Sequence, residues 1–176
     1  MGYVGHTMER NTFHSLKISD EMRESYQIRS YMLGDLLSRN YLMIDLEATG
    51  LDYHQEEITE IAVLPVEDMA VSDAGAWSSF IQTSRQIPKN IQELTGISNA
   101  DTKNGMPLRE ALSKLVNTYA DYVWVAQCGF EFDFPFLDQE YHRFFSEPLP
   151  VEVLDTKILF AHLHPEISET ISTNFL

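Results

Sequence analysis

The chain predicts an α/β protein with a mixed sheet, and three observations carry that prediction. Three strand-like segments follow one another between Tyr41 and Thr83 with no room for helices between them. Helical and strand periodicities then alternate as far as His164. The 176 residues, 44% of them hydrophobic, supply one globular core. Strands in direct succession pair antiparallel, and strands separated by helices pair parallel. A three-stranded meander should therefore lead into parallel strands flanked by helices.

Residues 1–18 lack periodicity and read as a loose arm. Ser19 suits an N-cap, with Asp20 and Glu21 in the first turn, and residues 20–39 read as an amphipathic helix. Met22, Tyr26, Leu33, Leu36 and Leu37 fall near one face of it, which offers a surface to the domain or to a partner protein. This divides the chain into an N-terminal arm and helix, 1–40, and a main domain, 41–176. YLMIDLEA (41–48), ITEIAVLPV (58–66) and AWSSFIQT (76–83) are the meander. IPKNIQELTG (87–96) reads as a short helix, with Pro88 in its first turn and Gly96 at its end. Leu108, Ala111, Leu112, Leu115, Val116 and Tyr119 recur at helical spacing over 107–119. YVWVAQ (122–127) reads as a buried strand, DFPFLDQEYHRFF (133–145) as a helix and VEVLD (151–155) as a last strand. TKILFAHLH (156–164) is a short helix capped by Asp155 and stopped by Pro165. ISETISTNFL (167–176) looks like the opening of another helix, so the fold is expected to be C-terminally truncated.

Composition narrows the setting. No apolar run approaches the length of a membrane span. MGYVGHTMERNTFHS lacks the basic and apolar regions of a secretory signal, and its sixth residue, His, does not fit N-myristoylation. Cys128 is the only cysteine, which excludes an internal disulfide and suits a reducing compartment. A cytoplasmic protein with no membrane partner is expected. The net charge of −15 argues against strong sequence-independent duplex binding. The charge is uneven, however. Asn40–Ser84 holds nine Asp or Glu and no Lys or Arg, whereas Arg85–Lys114 holds five basic and three acidic residues. An acidic cluster that gathers cations beside a mildly basic segment suits a phosphate chain end. A solvated acidic surface is the plainer account of most of these charges.

Two acids interrupt the apolar run 41–48. Alternation along a strand sends Asp45 and Glu47 to one face, with Met43 and Tyr41. Carboxylates this close repel unless a cation lies between them, and hard oxygen donors favour Mg²⁺ or Mn²⁺ over zinc. The same pair on the open face of an edge strand would need no ligand. A second signal lies at AQCGFEFDFPFL (126–137), where a buried strand, a glycine turn and Asp133 precede an apolar helix. Alone, Asp133 would serve as a helix-start acid.

The ordered set D-x-E-x-T-G-L, I-x-E-I-A-V, L-T-G-I-S and F-D-x-x-F-L, from Asp45 to Leu137, resembles the DEDD superfamily of 3′→5′ exonucleases. The likeness is to the group containing the proofreading subunit of bacterial DNA polymerase III, ribonuclease T and oligoribonuclease, and it extends from Tyr41 to about His164. It implies a ribonuclease H-like fold and action on single-stranded DNA or RNA 3′ ends. It also implies two divalent ions, Mg²⁺ or Mn²⁺, held by four acids, with a His or Tyr as general base. Carried over, Asp45 would bridge both metals, Glu47 would bind one and Asp133 the other. Thr49 and Leu51 would lie against the terminal nucleotide. Phe136 is expected in the core, and Glu60 in a structural or outer role.

Two departures accompany the likeness. Cys128 and Gly129 stand where many relatives have His-Asn, and Cys128 is expected to act as a small hydrophobe. The third motif, H-x-x-x-x-D, is missing: His142 and His164 each precede a Glu by five residues but fall too early, and Tyr31 with Asp35 lies upstream of the first motif. Three readings stay open: a metal-dependent exonuclease, a catalytically impaired relative that binds nucleic acid or a protein, and an acidic α/β protein whose acids are merely exposed.

Overall fold

The computed structural model describes residues 12–18, 26–32 and 36–164. Eight strands and five helices are named in chain order: β1 (Thr12–Ile18), β2 (Tyr26–Met32), β3 (Tyr41–Ala48), β4 (Ile58–Glu67), β5 (Ala70–Val71) and β6 (Trp77–Phe80), then α1 (Lys89–Thr95), α2 (Asn99–Lys103), α3 (Leu108–Tyr119), β7 (Val123–Ala126), α4 (Asp133–Phe145), β8 (Glu152–Asp155) and α5 (Thr156–Leu163). They form one sheet in the order β2-β1-β8-β7-β3-β4-β5, with β6 also on β4. β3, β4 and β6 make the antiparallel meander, while β7 is parallel to both β3 and β8. This is a ribonuclease H-like α/β sheet flanked by helices.

Burial follows the pleat. Leu42, Ile44, Leu46 and Ala48 of β3 are buried in the main core, whereas Met43 and Asp45 are exposed and Glu47 is half-buried. Helix α3 adds Ala111, Leu112, Leu115 and Tyr119 to that core, and α4 adds Phe134, Phe136 and Leu137. Every residue of β7 is buried, as a parallel strand with neighbours on both edges requires. Trp124 closes this layer, its indole N–H donating to the Tyr119 carbonyl at 2.9 Å. On the opposite face a smaller cluster joins Val123, Val125 and Leu154 to Tyr41 and to Leu159 of α5.

The chain departs from expectation before Tyr41. Thr12–Ile18, read as a loose arm, and Tyr26–Met32, read as helix, are antiparallel strands paired over seven positions, from Thr12↔Met32 to Ile18↔Tyr26. The physical reason lies in the composition of 26–32. Tyr26, Ile28 and Tyr31 are good strand formers, and Tyr26 and Ile28 alternate with Gln27 and Arg29 as readily as they follow a helical stripe. The helical face expected for a partner protein is therefore not formed over 26–32. Leu16↔Val153 joins β1 to β8, placing these residues in the same sheet as the segment from Tyr41 onward. The expected N-cap at Ser19 and the helix opening at 167–176 lie outside the described residues.

Candidate metal centre

The site is built where neighbouring strands stop at different heights. β7 pairs with β3 only along Tyr41–Met43, and β3 runs on alone past that edge. The Leu46 N–H is thereby left without a ladder partner, and Asp133 supplies one: its Oδ1 accepts from Leu46 N at 3.1 Å. Such gaps beyond the carboxyl ends of parallel strands are where α/β sheets place ligand sites. Asp133 opens α4 and is 3% exposed. A helix N-terminus and two backbone N–H contacts favour its charged form. Burial outweighs them and, with the nearby Asp45 and Asp155 carboxyls adding to it, lifts the Asp133 pKa to about 7.

Asp45 lies on the open face of β3, beside a cleft of about 320 Å³ that Met43, Leu64, Val125, Gln127 and Thr156 help to line. Its carboxyl is open to solvent, yet desolvation by the surrounding walls raises its pKa above the usual carboxylate range. Glu47 is raised too, by burial first and then by Asp45 and Glu60. The register explains the last of these: Glu47 and Glu60 stand directly opposite each other across β3 and β4, a repulsive cross-strand pair. The register then shifts by one residue between Glu47 and Ala48, which pairs with Ile58.

Asp45 thus acts electrostatically on Glu47 and on Asp133, and all three carboxyls are pushed toward the protonated form. Carboxylate oxygens are hard donors of the kind a divalent cation takes. Among the described residues, no group of three or more His, Cys, Asp or Glu is arranged to hold a metal ion. Asp133 has already given one oxygen to the β3 backbone.

Thr49 and Leu51 behave differently from each other. Thr49 is buried, its hydroxyl donating to Glu56 and accepting from Glu57 N at 3.0 Å, which ties β3 to the loop before β4. Leu51 is 82% exposed on that loop. Phe136 is in the core as expected, 1% exposed. His142 lies on α4 and His164 ends α5, and neither lines the cleft beside Asp45. Sequence reasoning missed Glu57, whose carboxylate accepts from the Ser84 hydroxyl and the Ser84 and Arg85 backbone N–H groups, which holds its pKa down. Its only sequence signal was an acid beside a strand start.

The sequence profile of the RNase T family, described as exonuclease, matches residues 42–174. The chain is 28% identical over 139 residues to the PolC-type DNA polymerase III of Mycoplasma genitalium, covering 79% of this chain and 9% of that protein. It is 30% identical over 119 residues to the 3′-5′ exonuclease DinG of Bacillus subtilis, covering 67% of this chain and 12% of that one. The DNA polymerase III subunit epsilon of Aquifex aeolicus is 31% identical over 94 residues, 53% of this chain and 46% of that subunit. The chain therefore spans less than half the length of each of these relatives. Among solved structures, E. coli Exonuclease I in complex with a dT13 oligonucleotide superposes with a TM-score of 0.63 at 12% identity, over 72% of this chain and 30% of the other. That likeness is one of fold. The profile match, which spans the strand of Asp45 and Glu47 and the helix of Asp133, places this chain in the RNase T exonuclease family, within the DEDD superfamily of 3′→5′ exonucleases.

Proposed function

We propose that this chain is a metal-dependent 3′→5′ exonuclease acting on single-stranded DNA or RNA ends. The observation that carries this reading is the exonuclease-family match over residues 42–174, which spans Asp45, Glu47 and Asp133; it is supported by the electrostatic coupling of Asp45 to both Glu47 and Asp133. Asp45, Glu47 and Asp133 would hold Mg²⁺ or Mn²⁺, two ions by the family resemblance. Bound ions would supply an activated water and a stabilised leaving oxygen for phosphodiester hydrolysis. The chain's own residues do the placing. The β3 backbone fixes Asp133 through Leu46 N–H, and the strand pleat sets Asp45 and Glu47 on one face. The loop from Thr49 to Glu57 presents Leu51 to solvent, where it would meet the terminal nucleotide.

A second reading rests on Asp133, one of whose carboxylate oxygens is already engaged by the Leu46 N–H. A catalytically impaired exonuclease relative would bind nucleic acid or a protein without cutting it. The test is a time course with 5′-labelled single-stranded DNA and RNA oligonucleotides in Mg²⁺, Mn²⁺ or EDTA, run beside Asp45→Ala. A metal-dependent ladder shortening from the 3′ end, lost in the variant, is expected. Absence of cleavage, with Mg²⁺ still raising the Tm of the unmodified chain alone, would favour the impaired relative.

A further inference from the structure

The turn that delivers Asp133 is held by three consecutive residues from elsewhere in the chain. Asp155, at the end of β8, is 2% exposed and uses both carboxylate oxygens. Its Oδ1 caps α5, accepting from Lys157 N at 2.7 Å and Ile158 N at 3.4 Å. Its Oδ2 turns the other way and accepts from Phe130 N at 3.0 Å. Thr156 Oγ1 reaches the Ala126 carbonyl at 3.3 Å and also contacts the Gln127 side chain. Lys157 pairs with Glu131. Each residue of 155–157 therefore ties down a different part of the 126–131 segment.

That segment is not one the backbone would choose by itself. Cys128 sits at φ 53°, in the left-handed region that a non-glycine residue rarely occupies. Gly129 leaves no room for a Cβ, which would fall 2.6 Å from Phe134 Cε2. The Gly129 carbonyl accepts from Phe134 N at 2.8 Å, so the turn runs directly into α4 at Asp133. Strained turns persist where the surroundings over-determine them.

We infer that Asp155, Thr156 and Lys157 form a clasp that fixes the 126–131 turn and thereby holds Asp133 against β3. They are positioning residues, and Asp155 does more than cap its helix. The inference rests on the proposed role of Asp133. Of the three, Lys157 contributes least, because its pair with Glu131 is solvent-exposed on the Glu131 side.

Asp155→Asn separates the two functions of the carboxylate. Asparagine caps a helix as well as aspartate, but its NH₂ would then face the Phe130 N–H. Hydrogen exchange of single amides in the full chain gives the readout. In the variant, Phe130 and Leu46 amides should exchange at least tenfold faster while Lys157 and Ile158 stay protected. Leu46 is decisive, since its partner is Asp133 and a role confined to capping would not move it. Cleavage of a labelled oligonucleotide should lose about tenfold in kcat with KM little changed. Faster exchange at Phe130 with Leu46 unaltered would overturn the clasp. If Leu46 responds but the unmodified chain cuts no oligonucleotide, the clasp stands and the exonuclease reading falls. Should Asp155→Asn fail to fold, Thr156→Val decides by the same Leu46 amide: acceleration supports the clasp and no change overturns it.

Discussion

Replacing Asp133 by Asn should make the metal-free protein more stable at pH 8. The reason is that at pH 8 native Asp133 must ionise in a buried site, whereas the unfolded chain ionises it in water. Its pKa rises from the ordinary 3.8 to about 7, chiefly by burial. The native state therefore binds more protons than the unfolded state between those values. Asp133's contribution is most favourable below pH 3.8, falls as pH rises to about 7, and is level beyond. Moving one proton equilibrium across that interval corresponds to about 4 kcal/mol at 1.36 kcal/mol per pH unit. Asn keeps an oxygen for the Leu46 N–H but still buries a polar amide, so the expected gain at pH 8 is about 2–3 kcal/mol. In a domain of this size that is roughly 5–10 °C in Tm. The assay is thermal unfolding of both proteins in EDTA from pH 4 to pH 8, repeated with Mg²⁺. Taking the difference between the two curves cancels the other carboxylates. The difference should be about 1–2 kcal/mol against the variant at pH 4, change sign as pH rises, and reach its limit just above pH 7. Mg²⁺ should stabilise the unmodified chain at pH 8 and leave the variant unchanged. A Tm difference independent of pH, or a variant less stable throughout, would refute the reasoning.

Glu60→Gln removes the like-charge pair with Glu47 and should raise metal-free stability at pH 8 by about 0.2–1 kcal/mol, read from urea midpoints. Gly129→Ala drives a methyl into the Phe134 ring and should cost about 1–3 kcal/mol, measured by the same titration. Leu51→Ala, at a position 82% exposed, should leave stability within about 0.5 kcal/mol. If Leu51 meets the substrate, that variant raises KM for a single-stranded oligonucleotide in steady-state cleavage while the fold is unchanged.

What could be read in the sequence was what depends on local pattern. Helix 133–145 matches its expected limits because an apolar stripe and an acidic first residue both mark it. The meander of β3, β4 and β6 follows from segments too close together for crossovers. Helix α2 went unseen: its five residues are too few to show a period, although Ser98 and Asp101 form a capping box at its start. The error at Tyr26–Met32 has a different origin. An isolated segment carries no record of its partner, and the pairing with Thr12–Ile18 decides between two periodicities that its residues satisfy about equally.

The site divides in the same way. Asp45 and Glu47 share a face by strand geometry alone, so their relation was legible from spacing. The contact of Asp133 with Leu46, 87 residues apart, needed the fold, because it exists only where β7 stops and β3 continues. The two oxygens of Asp155 carry the point further. Sequence shows one of its uses, the cap of the helix that follows, since both partners are local. The other, to Phe130 twenty-five residues back, lies across a strand pair that only the register Ala126↔Asp155 brings together. One carboxylate thus joins a local rule to a long-range one. Sequence reading therefore finds the residues that would carry the chemistry and misses the residue that holds one of them in place.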